Sequence, residues 1–206
     1  MTSAAAAIAI EDAVLVEQTR QGDVSAFARL VSKYQDRVFN TCCRLCGHAE
    51  DARDLTQEAF LQAFKAIDTF GQRSGFYTWL FRIAVNLSIS YRRRNRREIR
   101  LSLHDAEDGE YAGGQAAGLL RHPRGGPSTE NPSGPMQERE THEAVMAALE
   151  SLEDEFRAVV VLRDIEGFDY RQIAEILGVP PGTVKSRLHR ARMALREKLA
   201  PVIGAA

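Results

Sequence analysis

Three cysteines in 206 residues are too few for a disulfide scaffold. No apolar run comes near the roughly 18 residues that a membrane span requires. The opening MTSAAAAIAI is apolar but has no Lys or Arg, so it lacks the basic start of a secretory signal. Its Ala-rich stretch reads as a frayed tail rather than an anchor. β-branched residues are scattered and period-2 alternation is never sustained, which argues against strands. No phosphate-cradling glycine loop and no nucleophile motif is present, which argues against catalysis and a bound cofactor. What remains is 44% hydrophobic and 27% charged, enough for a core in one large domain or two small ones. The expectation is a reduced, cytoplasmic protein without membrane insertion.

The net charge of -1 conceals four blocks. Residues 1–70 carry -3, residues 71–100 carry +7, residues 101–181 carry -10 and residues 182–206 carry +5. Two basic blocks about 90 residues apart, each following an acidic block, suit two separate surfaces for a polyanion. Solvated helix ends rich in Lys and Arg are the blander reading of either block alone. Residues 101–136 hold 7 of the 15 Gly and 4 of the 7 Pro. No apolar period survives there, so the segment reads as a flexible linker. It divides the chain into 11–100 and 137–200.

Both halves read as helix. Leu55, Ala59, Phe60, Ala63, Phe64 and Ile67 recur at spacings of three and four, with Asp54, Gln57, Glu58, Gln62 and Lys65 toward water. A similar pattern fills 24–46, and Ser74 is a candidate cap for a helix running through Trp79 and Leu80 into an arginine run. In the second half, Ser151-Leu152-Glu153-Asp154 has the form of a capping box. Gly167 breaks that helix, and a short helix ends at Gly178. Val179-Pro180-Pro181 turns the chain into a last, basic helix.

A short helix, a Gly, a Pro-containing turn and a basic helix match helix-turn-helix spacing. The last helix offers Thr183, Lys185, Ser186 and Arg187 for base edges and Arg190 for phosphate, with Arg171 on the helix before it. The second basic region is FGQRSGFYTWLFRIAVNLSISYRRRNRR, residues 70–97. Aromatics beside a cationic stripe are what single-stranded nucleic acid requires. Trp79 and Phe81 fall at helical spacing, where aromatics are more often core than stacking platforms. Phe76 and Tyr77 follow a Gly-containing polar stretch and suit a loop tip. Cys42, Cys43, Cys46 and His48 fit two readings, small apolar residues in a helix or a zinc or redox site. Asp164, Glu166 and Asp169 cluster as a metal-dependent nuclease would need, but have no neighbouring His or Lys. A two-domain repressor or activator would explain 151–199 but not 54–97.

DLTQEAFLQAFKAIDTF (54–70), SGFYTWLFRIAVN (74–86) and SLEDEFRAVVVLRDIEGFDYRQIAEILGVPPGTVKSRLHRARMALRE (151–197) resemble, in order, three segments of the extracytoplasmic-function (ECF) sigma factors of the sigma-70 superfamily. The resemblance implies an all-α chain of two small helical domains joined by a flexible linker. These are a region 2 bundle over 11–100 and a region 4 helix-turn-helix over 137–200, with 101–136 between them. It implies core RNA polymerase (the beta-prime clamp and the beta flap), promoter DNA and an anti-sigma factor as partners. Asp54, Leu55, Gln57, Glu58, Phe60, Phe64 and Ile67 correspond to the polymerase-binding helix. Arg73, Ser74, Phe76, Tyr77, Trp79, Arg82, Asn86, Arg92 and Arg93 correspond to the segment that reads and melts the -10 element. Arg171, Thr183, Lys185, Ser186, Arg187 and Arg190 correspond to the -35 reader. The family commonly has Arg-Gly after the Phe at 70, whereas this chain has Gly71-Gln72-Arg73. No metal ligand or catalytic residue is implied.

Overall fold

The computed structural model describes the backbone of residues 2–71, 74–107 and 136–203, and the side chains within 9–71, 74–98 and 143–200. All regular structure among the described residues is helical. The first unit contains α1 (Thr2–Arg20), α2 (Val24–Cys46), α3 (Ala49–Lys65), a 3-10 turn (Ile67–Thr69) and α4 (Phe76–Glu107). The Ala-rich start, expected to fray, is helical from Thr2. Alanine has the highest intrinsic helix propensity, and α1 is anchored further along. Asp12 accepts from Lys33 (2.7 Å) and from the Tyr34 hydroxyl.

Asp23 caps α2, accepting from the amides of Ser25 and Ala26. Gly47 ends it at φ +90, a left-handed geometry that favours glycine. Leu30, Val38, Cys42, Leu80, Phe81 and Val85 are fully buried where α2, α3 and α4 meet. Arg20 ties α1 to the segment after α3 by donating to Ile67 O (3.1 Å) and Phe70 O. That bond fixes the start of the connection into α4. Gly75 O accepts the first bond of α4, from Trp79 N, so Gly75 and not Ser74 holds the cap position. Helix α4 runs on through Glu107, past the point where the linker was expected to begin. Of the expected linker, residues 108–135 lie outside the described residues.

The second unit contains α5 (Met136–Glu150), α6 (Asp154–Val160) continuing as a π-helical turn (Val161–Ile165), α7 (Tyr170–Leu177) and α8 (Pro181–Ile203). The capping box expected at Ser151 does not form. Glu153 occupies the cap of α6 without a side-chain bond, and the Ser151 hydroxyl donates back to Ala148 O. The capping box is instead at α7, where Asp169 accepts from Arg171 N and Gln172 N while the Gln172 side-chain oxygen accepts from Asp169 N. Gly178 (φ +64) closes α7, and Pro180 O accepts the first bonds of α8.

The two units touch. Helix α5, helix α6 and the π-turn rest on α2, and α7 lies along α4. Arg157 is central to this arrangement. Its fully buried guanidinium donates to Leu149 O, Glu150 O and Leu152 O at the end of α5, and to Leu45 O of α2 (3.0 Å). A guanidinium suits this place because its fork of donors satisfies several helix-end carbonyls at once.

Candidate polymerase-docking and DNA-binding surfaces

Helices α7 and α8 form the expected helix-turn-helix. Ile173, Ile176, Val184, Leu188 and Ala191 are buried between them and α6. Lys185, Ser186, Arg190 and Arg171 are exposed, and Thr183 is half-buried. The outer face of α8 therefore presents donors from its first turns while the inner face holds the fold. Arg187 is less free, because it pairs with Glu155 of α6. Further along α8, Arg192 pairs with Asp164, and that hydrogen bond raises the Arg192 pKa.

On α3, Asp54, Gln57 and Glu58 are exposed, and Leu61 (44%) and Phe64 (38%) remain partly in water. A groove of about 470 Å³ between α3 and α4 is lined by Asp54, Gln57, Glu58, Leu61, Tyr91 and Arg94. Leu55, Phe60 and Ile67, grouped with these by sequence resemblance, are buried. They hold α3 in place, and of the three Leu55 also lines the groove. Leu61 was not singled out by the periodicity, because a Leu off the apolar stripe gives no signal until the neighbouring helices are placed.

A second groove of about 260 Å³ lies on the same helix pair, lined by Gln62, Trp79, Arg82, Asn86, Leu87 and Ser90. Arg82 and Asn86 are exposed there. Trp79 is half-buried, its ring 5.2 Å from Phe70 and 5.9 Å from Phe76. The indole thus belongs to the core on one side and to the groove on the other. Phe76 departs from the loop-tip expectation. It is the first residue of α4 and is buried among Tyr34, Phe70 and Trp79. In this conformation its ring cannot stack on a base.

Tyr77 is also on α4 rather than at a loop tip. Its ring stacks on Phe168 at 4.9 Å and 16°, with the Arg37 guanidinium 4.7 Å from its centre. Burial, and then the charge of Glu166, raise the Tyr77 pKa. Arg92 is half-buried, donating to Leu45 O and pairing with Asp154 at 2.9 Å. Burial lowers its pKa. Arg93 is exposed, Ser74 is half-buried, and Arg73 lies outside the described residues.

Cys42, Cys43 and Cys46 are free and buried on α2. No three His, Cys, Asp or Glu side chains among the described residues come together as a metal site. Burial pushes the Cys42 thiol up, the Cys43 thiol to about 11 and the Cys46 thiol to about 12. The thiolate is the reactive form, so at pH 8 the native protein should react at most slowly with a disulfide reagent, while all three thiols react at once in denaturant. A fast native reaction of even one thiol would contradict this packing. The acidic cluster is also accounted for: Asp164 pairs with Arg192, Glu166 accepts from Arg37, Thr41 and Tyr77, and Asp169 caps α7.

An α-helical bundle with an open acidic edge, followed by a helix-turn-helix with an open basic face, defines a two-module DNA-binding protein. The Sigma-70 region 2 model matches residues 30–98 and the Sigma-70, region 4 model matches residues 142–195. The chain is 38% identical over 194 residues to the ECF RNA polymerase sigma-E factor of Escherichia coli (strain K12), spanning 94% of this chain and 97% of that one. It is 36% identical over 184 residues to the ECF RNA polymerase sigma factor SigW of Bacillus subtilis (strain 168), spanning 89% and 94%. The fold resembles CnrH, solved in complex with the cytosolic domain of CnrY, with a TM-score of 0.63 at 25% identity over 93% of this chain and 98% of that one. It also resembles the sigma factor RpoE of Bartonella quintana, solved with the anti-sigma factor NepR, with a TM-score of 0.62 at 25% identity over 86% and 98%. The chain belongs to the ECF group of the sigma-70 family. It is a transcription initiation factor and not an enzyme. No helix among the described residues is long and apolar enough to cross a membrane.

Proposed function

We propose that the chain works in the cytoplasm, binding core RNA polymerase through the α3 edge and reading two promoter elements. The observation that carries this reading is exposure in three places at once. Asp54, Gln57 and Glu58 on α3, Arg82 and Asn86 on α4, and Lys185, Ser186 and Arg190 on α8 all face water. The α3 edge docks on the beta-prime clamp, and the second unit docks on the beta flap. The α4 groove, with Trp79 on its wall, takes the -10 strand, and the first turns of α8 take the -35 element. The working division is 11–100, 101–136 and 137–200, with α4 reaching into the middle segment as far as Glu107.

The chemistry fits this division. Flipping a base costs a few kcal/mol of stacking and pairing, which an aromatic-lined groove offsets. Phosphate contacts from Arg93 and Arg190 give affinity without choice, and base contacts give choice. Neither unit binds a promoter well alone, but both fixed on polymerase act at high effective concentration. An inhibitory protein partner is part of the proposal, since the solved RpoE of Bartonella quintana carries an anti-sigma factor.

Lys185 gives the cleanest test, because Arg187 also braces α6. Lys185→Ala should weaken binding of the polymerase complex to the -35 element about tenfold, within the roughly 1–3 kcal/mol of a good base contact. Retention on core polymerase should not change. Equal loss of both, measured by promoter titration and by core pull-down, would count against α8 as the reader.

A further inference from the structure

Helix α1 holds the aromatic wall of the α4 groove from behind. Trp79 lines that groove beside Arg82 and Asn86. The inner side of its indole rests on Phe70 at 5.2 Å and on Phe76 at 5.9 Å, and those two rings meet edge to face at 6.0 Å. The direction of the indole therefore follows from where Phe70 and Phe76 are set. Phe76 is set by α4 and by the Tyr34 ring at 6.0 Å, and the Tyr34 hydroxyl donates to Asp12 of α1.

Phe70 has less of its own to hold it. It follows a single 3-10 turn, whose hydrogen-bond geometry is poor. Its amide bonds back three residues to Ile67 O, and Thr69 N does the same to Ala66 O. Gly71 comes next, where nothing among the described residues would meet a side chain. Arg20, the last residue of α1, supplies the missing donors. Its Nε reaches Ile67 O at 3.2 Å, and its Nη2 reaches Ile67 O at 3.1 Å and also Phe70 O. The side chain is only 22% exposed, with Glu17 at 3.6 Å on its outer side. Bonds from a cation are stronger than neutral ones, and a planar fork that spans two carbonyls fixes direction as well as distance.

Resting on the -10 role proposed for the α4 groove, we infer that Arg20 is a positioning residue for single-strand recognition. By fixing the Phe70 carbonyl it fixes the Phe70 ring, and through that ring the face that Trp79 offers to an unstacked base. Arg20 does not line the groove itself. Its donors are turned to carbonyls, so it gives no charge to a phosphate. A ring already in place needs no ordering when the strand arrives, and that saving appears as affinity.

The test uses the full chain on core polymerase, titrated with a dye-labelled single strand carrying the -10 element of a promoter it initiates from. Arg20→Met keeps the stem and removes every donor. It should weaken strand binding about fivefold, the scale of one impaired base–aromatic stack. In the free chain it should open Trp79, the single tryptophan, to acrylamide quenching. Arg20→Lys keeps the charge but not the fork and should fall between wild type and Arg20→Met in both readouts. Glu17→Gln should match wild type. The salt dependence of strand binding should be the same in all four proteins, whereas losing one phosphate contact would flatten the slope by about 0.7. Core retention and the helical melt should change little. Where Arg20→Met melts early, Arg20→Lys carries the comparison by the same criteria. Unchanged strand affinity, a flatter salt slope, or weaker strand binding with Trp79 quenching unaltered each overturns the inference. Equal loss of core retention in a variant that melts like wild type overturns it too. If wild type itself does not bind the strand, the groove reading falls instead, and Trp79 quenching in the free chain still decides whether Arg20 orients the indole.

Discussion

Replacing Arg157 with alanine should destabilise the second unit by roughly 3–5 kcal/mol. Glu150 O and Leu152 O lose this donor, while Leu45 O keeps Arg92 and Leu149 O keeps Leu152 N, and an unsatisfied buried polar group costs about 1–3 kcal/mol. The deleted side chain also leaves a cavity under α6. Arg157→Lys should recover only part of the loss, since a compact ammonium cannot copy the planar fork. Urea unfolding checks this with two probes. The single tryptophan, Trp79, reports the first unit, whereas circular dichroism reports both. The variant should show an early helical loss that precedes the Trp79 transition. A shift below about 1 kcal/mol would mean that these carbonyls find other donors.

Reversing the charge of the α3 edge should have the largest functional effect. Asp54 and Glu58 are exposed and line the groove shared with α4. Asp54→Arg with Glu58→Arg leaves the buried face, Leu55, Ala59 and Phe60, intact, so melting should change little. Affinity for core polymerase should fall at least tenfold, and transcription with it, because like charges set opposite a partner cost more than the lost attraction. Single-strand binding by the α4 groove should survive. Unchanged core affinity would move the docking surface elsewhere on the molecule.

Much of this was legible in the residues. The apolar period gave α2 at 24–46 and placed α3 correctly, because both helices bury one face against the same bundle. The Gly178 and Pro180-Pro181 punctuation gave the helix-turn-helix for local reasons, a left-handed cap and a first-turn proline. What was not legible depends on distant neighbours. Periodicity groups Phe60 with Phe64, but only packing shows the first buried and the second half in water. Phe76 and Tyr77 looked like a loop tip because a Gly precedes them, and the cap fell one residue later than Ser74. Arg157 opens an apolar run, RAVVVL, and Glu166 sits in an acidic stretch, DIEGFD, that reads only as a cluster of charges. Arg157 reaches Leu45, 112 residues away, and Glu166 reaches Thr41, 125 residues away, so no local signal could have named these contacts.

Reconstituted run-off transcription tests the central claim most directly. Purified chain and core polymerase together should give a transcript with one defined start on a matched promoter, and neither should give it alone. Tight, specific duplex binding by the chain without polymerase, and no transcript from any promoter in a genomic library, would contradict it.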